Sequence, residues 1–415
     1  MTNTNSGHCI VVLIAHIADL HIGAIQYGLL EREQDFYDAW EEVISKILEE
    51  HAKLVIISGD TVDKPRLGGR PLRALYRGFK KLKDHNVEII AILGEHDFKR
   101  VRGEEPILYL FADQGLLKII GVGDRLILKR NINGLNILIA GLSKHRKSET
   151  KQLLHSLRRL EILTNQEDSN RKILMLHQGL KELNPHAGEI TLDQLPRNFN
   201  YYAFGHYHTA NSDLRINGAP VTYPGSLEVV RIDELNTVTF IAGFKCLTAE
   251  KGFYIVDFTT KEPLLHRIKI DIRPQLRIEL PLITLKLRTM LVNIAKELRK
   301  LGSRKKPILH ITFKDSKSSI KDLDTLLSMM IGPHVLTYRW SIEEETSREI
   351  EPHIKEEVFS LEDELLNLAR AELKSDELAK LVLEILEITK SNIVEHAKIE
   401  RLIKLINTKL LGEVE

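Results

Sequence analysis

The sequence is poor in cysteine, with Cys9 and Cys246 far apart in a chain of 415 residues. Two such residues build neither a disulfide framework nor a thiolate zinc site, which points to a reducing, intracellular setting, cytoplasm or nucleoid. Long apolar runs are also scarce. The best one, Cys9–Ala18, falls short of the roughly 20 residues a bilayer-crossing helix needs. It has no basic flank before it and ends at Asp19, so it reads as a buried strand rather than a leader or an anchor. Aromatic residues amount to 6%, and no stacking platform for bases is evident. What remains is a chain with 43% hydrophobic and 28% charged residues, long enough for two or three domains.

The formal net charge of +1 hides an asymmetry. From Ser341 to Glu415 the balance is −9, and the rest of the chain carries +10. A mildly basic body with an acidic tail hints at an anionic ligand for the body. Basic residues cluster at Lys64, Arg66, Arg70, Arg73, Arg77, Lys80 and Lys81, and again at Lys99, Arg100 and Arg102. Lys64, Arg66, Arg70, Lys99, Arg100 and Arg102 are candidate contacts to a nucleic-acid backbone, although part of each run reads equally well as a solvated helix face.

Periodicity predicts alternating strands and helices at first: strand Val11–Ala18, helix Glu33–Glu50, strand Leu54–Ser58, helix Pro71–Asp84 and strand Val87–Leu93. Hairpins follow, with Arg125–Leu128 and Leu135–Ala140 around Asn133-Gly134. Further strands are expected at Ile173–Leu176, Tyr201–Phe204, Thr237–Phe244 and Gly252–Phe258. The expectation is an α/β class fold, a layered sandwich over residues 8–260. Residues 265–340 read as a small α+β module with helices Leu285–Leu301 and Ile320–Met330 between strands. Residues 341–359 form an acidic linker, and residues 360–412 two amphipathic helices starting at a Ser360 cap. Their apolar faces need each other plus a partner surface, or fold back on the body.

Five fragments stand directly after apolar strands, where α/β sheets build sites. They are Asp19-Leu20-His21, Gly59-Asp60, Gly94-Glu95-His96-Asp97, His177 and Gly205-His206-Tyr207-His208. One Asp or His after a strand is usually a cap; the ordered set is specific. Residues two apart in extended chain point the same way, so Asp19 with His21, and His206 with His208, can face one pocket. Carboxylates with imidazoles suit manganese, iron or zinc. Two such ions sharing a carboxylate are the usual device for phosphoester hydrolysis. His16 reads as buried structure, and His51, His85, His145, His155 and His186 lack a paired ligand.

The order D-x-H, G-D, G-N-H-D, H, G-H-x-H resembles the signature of calcineurin-like metallophosphoesterases. Within that superfamily, Ile17–Gly23, Leu174–Gly179, Tyr223–Glu228 and Lys251–Tyr254 resemble the meiotic-recombination-eleven (SbcD-like) family of DNA double-strand-break repair nucleases, over about residues 10–260. The resemblance implies one metal held by Asp19, His21, Asp60 and His208, and a second by Asp60, Glu95, His177 and His206, both manganese. It gives His96 a place near the leaving oxygen, with Asp97 orienting His96. It also implies a substrate-capping second domain and a homodimer through 71–84 and 105–114, with Leu72, Leu75, Tyr76, Leu108 and Phe111 as contacts. The partners are DNA and, for the tail helices, the coiled coil of an SMC-like ATPase.

Two departures matter. Glu95 replaces the family's neutral asparagine ligand, which should tighten cation binding while weakening the pull on phosphate. Asp63 stands where some archaeal relatives have a second catalytic histidine. The expected activity is a manganese-dependent DNA nuclease, 3′–5′ exonuclease on duplexes and endonuclease on single strands. Two readings stay open beside it: a phosphodiesterase or phosphatase for a smaller substrate, and a catalytically weak DNA-end scaffold.

Overall fold

The computed structural model describes residues 11–98, 105–239, 249–281, 284–301, 304–315 and 323–344, with Leu381, Ile385 and Ile399 beyond them. In chain order the first part runs β1 (Leu13–Ile17), α1 (Leu30–Glu49), β2 (Leu54–Ser58), α2 (Gly69–Asp84), β3 (Glu88–Ile92), α3 (Leu108–Asp113) and β4 (Lys118–Ile119). There follow β5 (Ile127–Ile132), β6 (Leu135–Leu142), α4 (Thr150–Asn165), β7 (Arg171–His177), β8 (Tyr201–Gly205), β9 (Asn211–Ile216) and β10 (Ala219–Tyr223). The last group is β11 (Thr237–Thr239), β12 (Lys251–Asp257), β13 (Leu264–Ile270), β14 (Gln275–Pro281), α5 (Thr284–Leu301), β15 (Ile308–Asp315), α6 (Leu323–Met330) and β16 (Thr337–Glu344).

Two six-stranded sheets, β13-β12-β1-β2-β3-β4 and β5-β6-β7-β8-β10-β9, pack face to face. Their central strands pair in parallel and are apolar on both faces, as strands covered on two sides must be. Period-two alternation divides the work. Ile14, Leu54, Ile56, Ile90 and Ile92 meet Ile137, Ile139, Ile173 and Met175 between the sheets. Ala15, Ile17, Val55, Ile57 and Ile89 face outward and are covered by Trp40, Val43, Phe79 and Phe111 of the helices. Each large apolar side chain so covered stabilises the fold by roughly 1.5–3 kcal/mol. His16 is buried in the same interior, its ring bonded to Tyr201 (2.7 Å) and Ser58 (3.0 Å); burial holds it neutral.

The β5–β6 hairpin turns at Asn133 and Gly134, both at positive φ, as an Asn-Gly two-residue turn requires. The module boundary differs from the expected one. β13 extends the first sheet beside β12, so the second module begins between Ile270 and Gln275. β11, expected within the first module, instead pairs with β14 in a four-stranded parallel sheet, β11-β14-β15-β16, backed by α5 and α6. β16 runs on to Glu344, where the acidic linker was expected from Ser341, because its register with β15 continues to Asp315↔Glu344. The described residues between 11 and 344 form one compact unit. The rest of that linker and the tail helices lie outside the described residues, apart from the three single positions above.

A buried ion cluster ties the second module to α1. Asp35 accepts hydrogen bonds from Arg32 (2.6 Å), Arg273 (2.6 Å) and Lys305 (3.0 Å), and Arg32 also reaches Glu228 (2.9 Å). Burial alone would raise the Asp35 carboxyl; the surrounding cations outweigh it and lower it.

Candidate metal centre

The carboxyl ends of both sheets converge on one point. Asp19, Asp60 and the Gly94–Asp97 loop follow β1, β2 and β3 of the first sheet; His177 closes β7, and His206 and His208 follow β8 of the second. The expected strand alternation is not what aims Asp19 and His21. Both have left the strand: Asp19 has φ 53° and His21 φ 46°, and Asp60 (φ 51°) and His206 (φ 98°) share this sparsely populated region. Four non-glycine residues held in that conformation at one place are strain retained for a site. Backbone bonds fix the turns, Asp19 N–H to the Gly59 carbonyl (3.0 Å) and His21 N–H to that of Asp60 (3.1 Å).

Three groups bring their ligand atoms within 4.8 Å of one another: Asp19, His21 and His208; Asp19, Asp60 and His177; and His21, Asp60 and His96. Asp60 Oδ2 is 3.3 Å from His177 Nε2 and 4.0 Å from His21 Nε2, so one carboxylate reaches both sides. Three of the imidazoles have their second nitrogen tied down. His177 Nδ1 donates to the Ser58 carbonyl (2.7 Å), His96 Nδ1 to that of Asp63 (2.8 Å), and His208 Nδ1 meets Glu234 (2.8 Å). These partners fix the tautomers that aim Nε2 into the site.

The residues fit divalent ions. His177 Nε2 and His21 Nδ1 are buried without a hydrogen-bond partner, and buried polar atoms are seldom left so. His21 Nε2 and His208 Nε2 face each other at 3.1 Å, the spacing of two nitrogens that share one ion at roughly 2.0–2.1 Å each. Space is reserved as well: a Cβ on Gly94 would lie 2.1 Å from Asp60 Oδ1.

The electrostatics point the same way. Burial raises the Asp19 carboxyl. It would raise Asp60 too, but the charge of His177, with that of His21 and His96, holds Asp60 well below the carboxylate range. Burial would lower His177, yet Asp60 and then Asp19 carry it up to about 9. His206, by contrast, is kept neutral by burial, His177 and Lys144. Two buried carboxylates thus demand positive charge, which protons on imidazole supply until a cation displaces them.

Residues 12–210 match the calcineurin-like phosphoesterase family. Three archaeal proteins, each named DNA double-strand break repair protein Mre11, match beyond it. That of Methanocaldococcus jannaschii is 36% identical, over 63% of this chain and 67% of its own. That of Saccharolobus solfataricus is 31% identical over 72% and 74%, and that of Sulfolobus acidocaldarius 28% over 94% and 97%. The chain belongs to the Mre11 family. It is therefore a metal-dependent phosphodiesterase of the DNA-repair nuclease type, with the calcineurin-like fold.

In this member of the Mre11 family several residues differ from expectation. Asp97 does not orient His96. Both its oxygens accept backbone N–H groups, from Val62 (3.1 Å) and Gly94 (2.8 Å), so it joins two ligand loops; burial and the neighbouring Asp60 charge push it up to about 7. The Asp63 carbonyl orients His96 instead. Glu95 and His206 belong to none of the three groups. The Glu95 side chain is 45% exposed at the mouth of the cleft, 3.7 Å from His96 Nε2 and 4.0 Å from Lys144 Nζ. His206 lies beside His177, ring centroids 5.3 Å apart.

Sequence reading gave no role to Glu234, Ser226, Lys251, Lys144 or Glu189. Lys251 binds the His208 carbonyl (2.9 Å), Ser226 Oγ (2.8 Å) and Glu234, so it supports the partner of a ligand imidazole. Ser226 and Lys251 lay inside segments that carried the resemblance, and Glu228 of the same segment anchors Arg32. Glu234 stands in a polar loop without a motif, and only the fold brings it there.

Of the candidate DNA contacts, Lys64 and Arg66 are exposed, whereas Arg70 is engaged by Glu33 (2.6 Å). Lys99, Arg100 and Arg102 lie outside the described residues. Leu75, Leu108 and Phe111 are not available as dimer contacts: they fill the chain's own core, Phe111 edge-on to Phe79 at 5.3 Å. Tyr76 and Leu110 are the exposed apolar residues of those helices, while Leu72 packs partly against the core.

Proposed function

We propose that this chain cleaves DNA with two manganese ions, as a 3′–5′ exonuclease on duplex ends and as an endonuclease on single strands. The observation that carries the reading is the convergence of Asp19, His21, Asp60, His177 and His208, of which His21 and His208 line a cleft of about 630 Å³ together with Glu95, His96, His206 and Arg231. Asp19 with His21 and His208, and Asp60 with His177, would hold the ions, Asp60 between them. When bound, the ions polarise the phosphoryl group and lower the pKa of the attacking water. His96 lies at the mouth, Nδ1 engaged by Asp63, and offers Nε2 to the phosphate or to the departing oxygen. Arg231 offers a cation to the backbone beside the scissile bond.

We assign the module from β14 to β16 to capping the DNA, the α2–α3 surface around Tyr76 and Leu110 to a homodimer, and residues 360–412 to the coiled coil of an SMC-like ATPase. Support comes from the relatives, each named for double-strand break repair, and from the amphipathic pattern of the tail. The test is cleavage of end-labelled duplex and circular single-stranded DNA with manganese or magnesium, beside Asp60→Ala. Manganese-dependent cleavage lost in the variant supports the proposal. DNA binding without cleavage by the natural chain overturns it in favour of an end-binding scaffold, and hydrolysis confined to small phosphoesters favours a phosphatase.

A further inference from the structure

Lys144 stands beside His206 and Glu95 at the edge of the ligand cluster. Its side chain is only 6% exposed. Its ammonium meets Glu189 (2.5 Å) and His206 Nε2 (3.4 Å), and lies 4.0 Å from Glu95 Oε2. The other Glu189 oxygen accepts the Gly179 N–H (2.7 Å), in the loop after His177. The backbone holds the same arrangement: Lys144 N–H donates to the Leu93 carbonyl (2.8 Å), and Leu93 N–H to Ser143 Oγ (3.0 Å). Leu93 precedes the Gly94–Asp97 loop of the first sheet, while Ser143 and Lys144 follow β6 of the second. The ammonium is thus fixed over the Glu95 loop by two sheets.

We propose that Lys144 is a positioning residue that, shared between Glu189 and Glu95, holds the Glu95 carboxylate at the wall of the metal cleft and off the ions. The proposal rests on reading the Asp19–His208 cluster as the metal centre. Two carboxylates against two dications leave a surplus of positive charge to draw the phosphate. A third carboxylate swinging onto the ions would reduce that surplus, and the ammonium, anchored by Glu189, holds it back at the wall. Glu95 then stays off the ions, and the pull on phosphate survives the extra acid.

The experiment is a double-mutant cycle on the full chain: natural protein, Lys144→Met, Glu95→Asn and the double variant. Manganese titration by calorimetry is read beside kcat and KM on bis(p-nitrophenyl) phosphate. Lys144→Met leaves Glu189 buried and unpaired, so the cycle is repeated with Glu189→Gln throughout. Expected is tighter manganese binding and a lower kcat on Lys144→Met when Glu95 is present, each by at least about fivefold, and a change below about twofold when position 95 is Asn. Lys144→Arg, which keeps the charge, restores kcat. Equal changes in both backgrounds overturn the proposal, because Lys144 would then act on the ions or the fold directly. A natural protein that binds no manganese overturns the metal-centre reading itself.

Discussion

The backbone N–H of His206 points between the two carboxylate oxygens of Asp19, 3.1 Å from each. Asp19 follows a strand of one sheet and His206 a strand of the other, so this contact closes the sandwich at the point where its ligands converge. Asp19→Asn replaces one acceptor oxygen by an amide that faces the N–H. The expected result is loss of at least one bound manganese, with a stability cost of about 1–3 kcal/mol. Metal stoichiometry and urea unfolding check both parts, and full stoichiometry in the variant would contradict it.

His177 ties metal binding to pH. Its folded pKa of about 9 exceeds the ordinary histidine value of 6.5, so the metal-free protein binds a proton there that the unfolded chain releases. That contribution to stability is full below 6.5 and is lost as pH rises through about 9. A divalent ion must displace the proton, so apparent affinity rises with pH over the same window. The manganese-induced gain in melting temperature should therefore grow between pH 6.5 and 9. Calorimetry in two buffers of different ionisation enthalpy should also report proton release on binding. A flat profile would remove His177 from the ligand set.

Gly94 is a steric requirement of the site. A Cβ there would meet Asp60 Oδ1 at 2.1 Å and the Asp60 backbone nitrogen at 2.4 Å. Asp60 is hemmed in by His177 and by the His96 N–H at 2.8 Å, so it cannot yield. Gly94→Ala should abolish manganese binding at whichever positions Asp60 serves, with overpacking worth about 1–3 kcal/mol of stability. Far-ultraviolet circular dichroism and manganese titration separate loss of fold from loss of site.

Much of the site was legible because its chemistry is local. Each of Asp19, Asp60, His177 and His206 follows an apolar run that has to be a strand, and strand ends of α/β sheets share an edge. The ligand order then needed no knowledge of packing. What sequence could not show is tertiary. Nothing near Asp97 says that its oxygens are taken by Val62 and Gly94, which leaves His96 to the Asp63 carbonyl. Apolar spacing on α2 and α3 marks Leu75, Leu108 and Phe111 as face residues but cannot say which face. They fill the chain's own core, and only Tyr76 and Leu110 are left outside. β13 reads as the start of a new module because the segment before it is polar, yet its pairing with β12 places it in the first sheet. Glu234 and Lys144 are separated by long stretches from the ligands they serve, and no period or motif records such contacts.

Asp35 carries the last prediction. Its side chain is 1% exposed and gathers Arg32 from its own helix with Arg273 and Lys305 from the second module. Removing the acid leaves the buried Arg273 without its carboxylate, while Arg32 keeps Glu228 and Lys305 keeps Asp38. Asp35→Ala should therefore cost about 3–5 kcal/mol, well above the effect of breaking an exposed pair such as Lys80–Asp84. Because the cluster joins α1 to the second module, the loss should appear as an earlier, separate unfolding step of that module. Differential scanning calorimetry distinguishes this from a uniform downward shift of a single transition. Manganese binding should persist, since Asp35 touches none of the ligands. A variant that kept one transition and lost its metal instead would show that the cluster serves the site and not the joint between the modules.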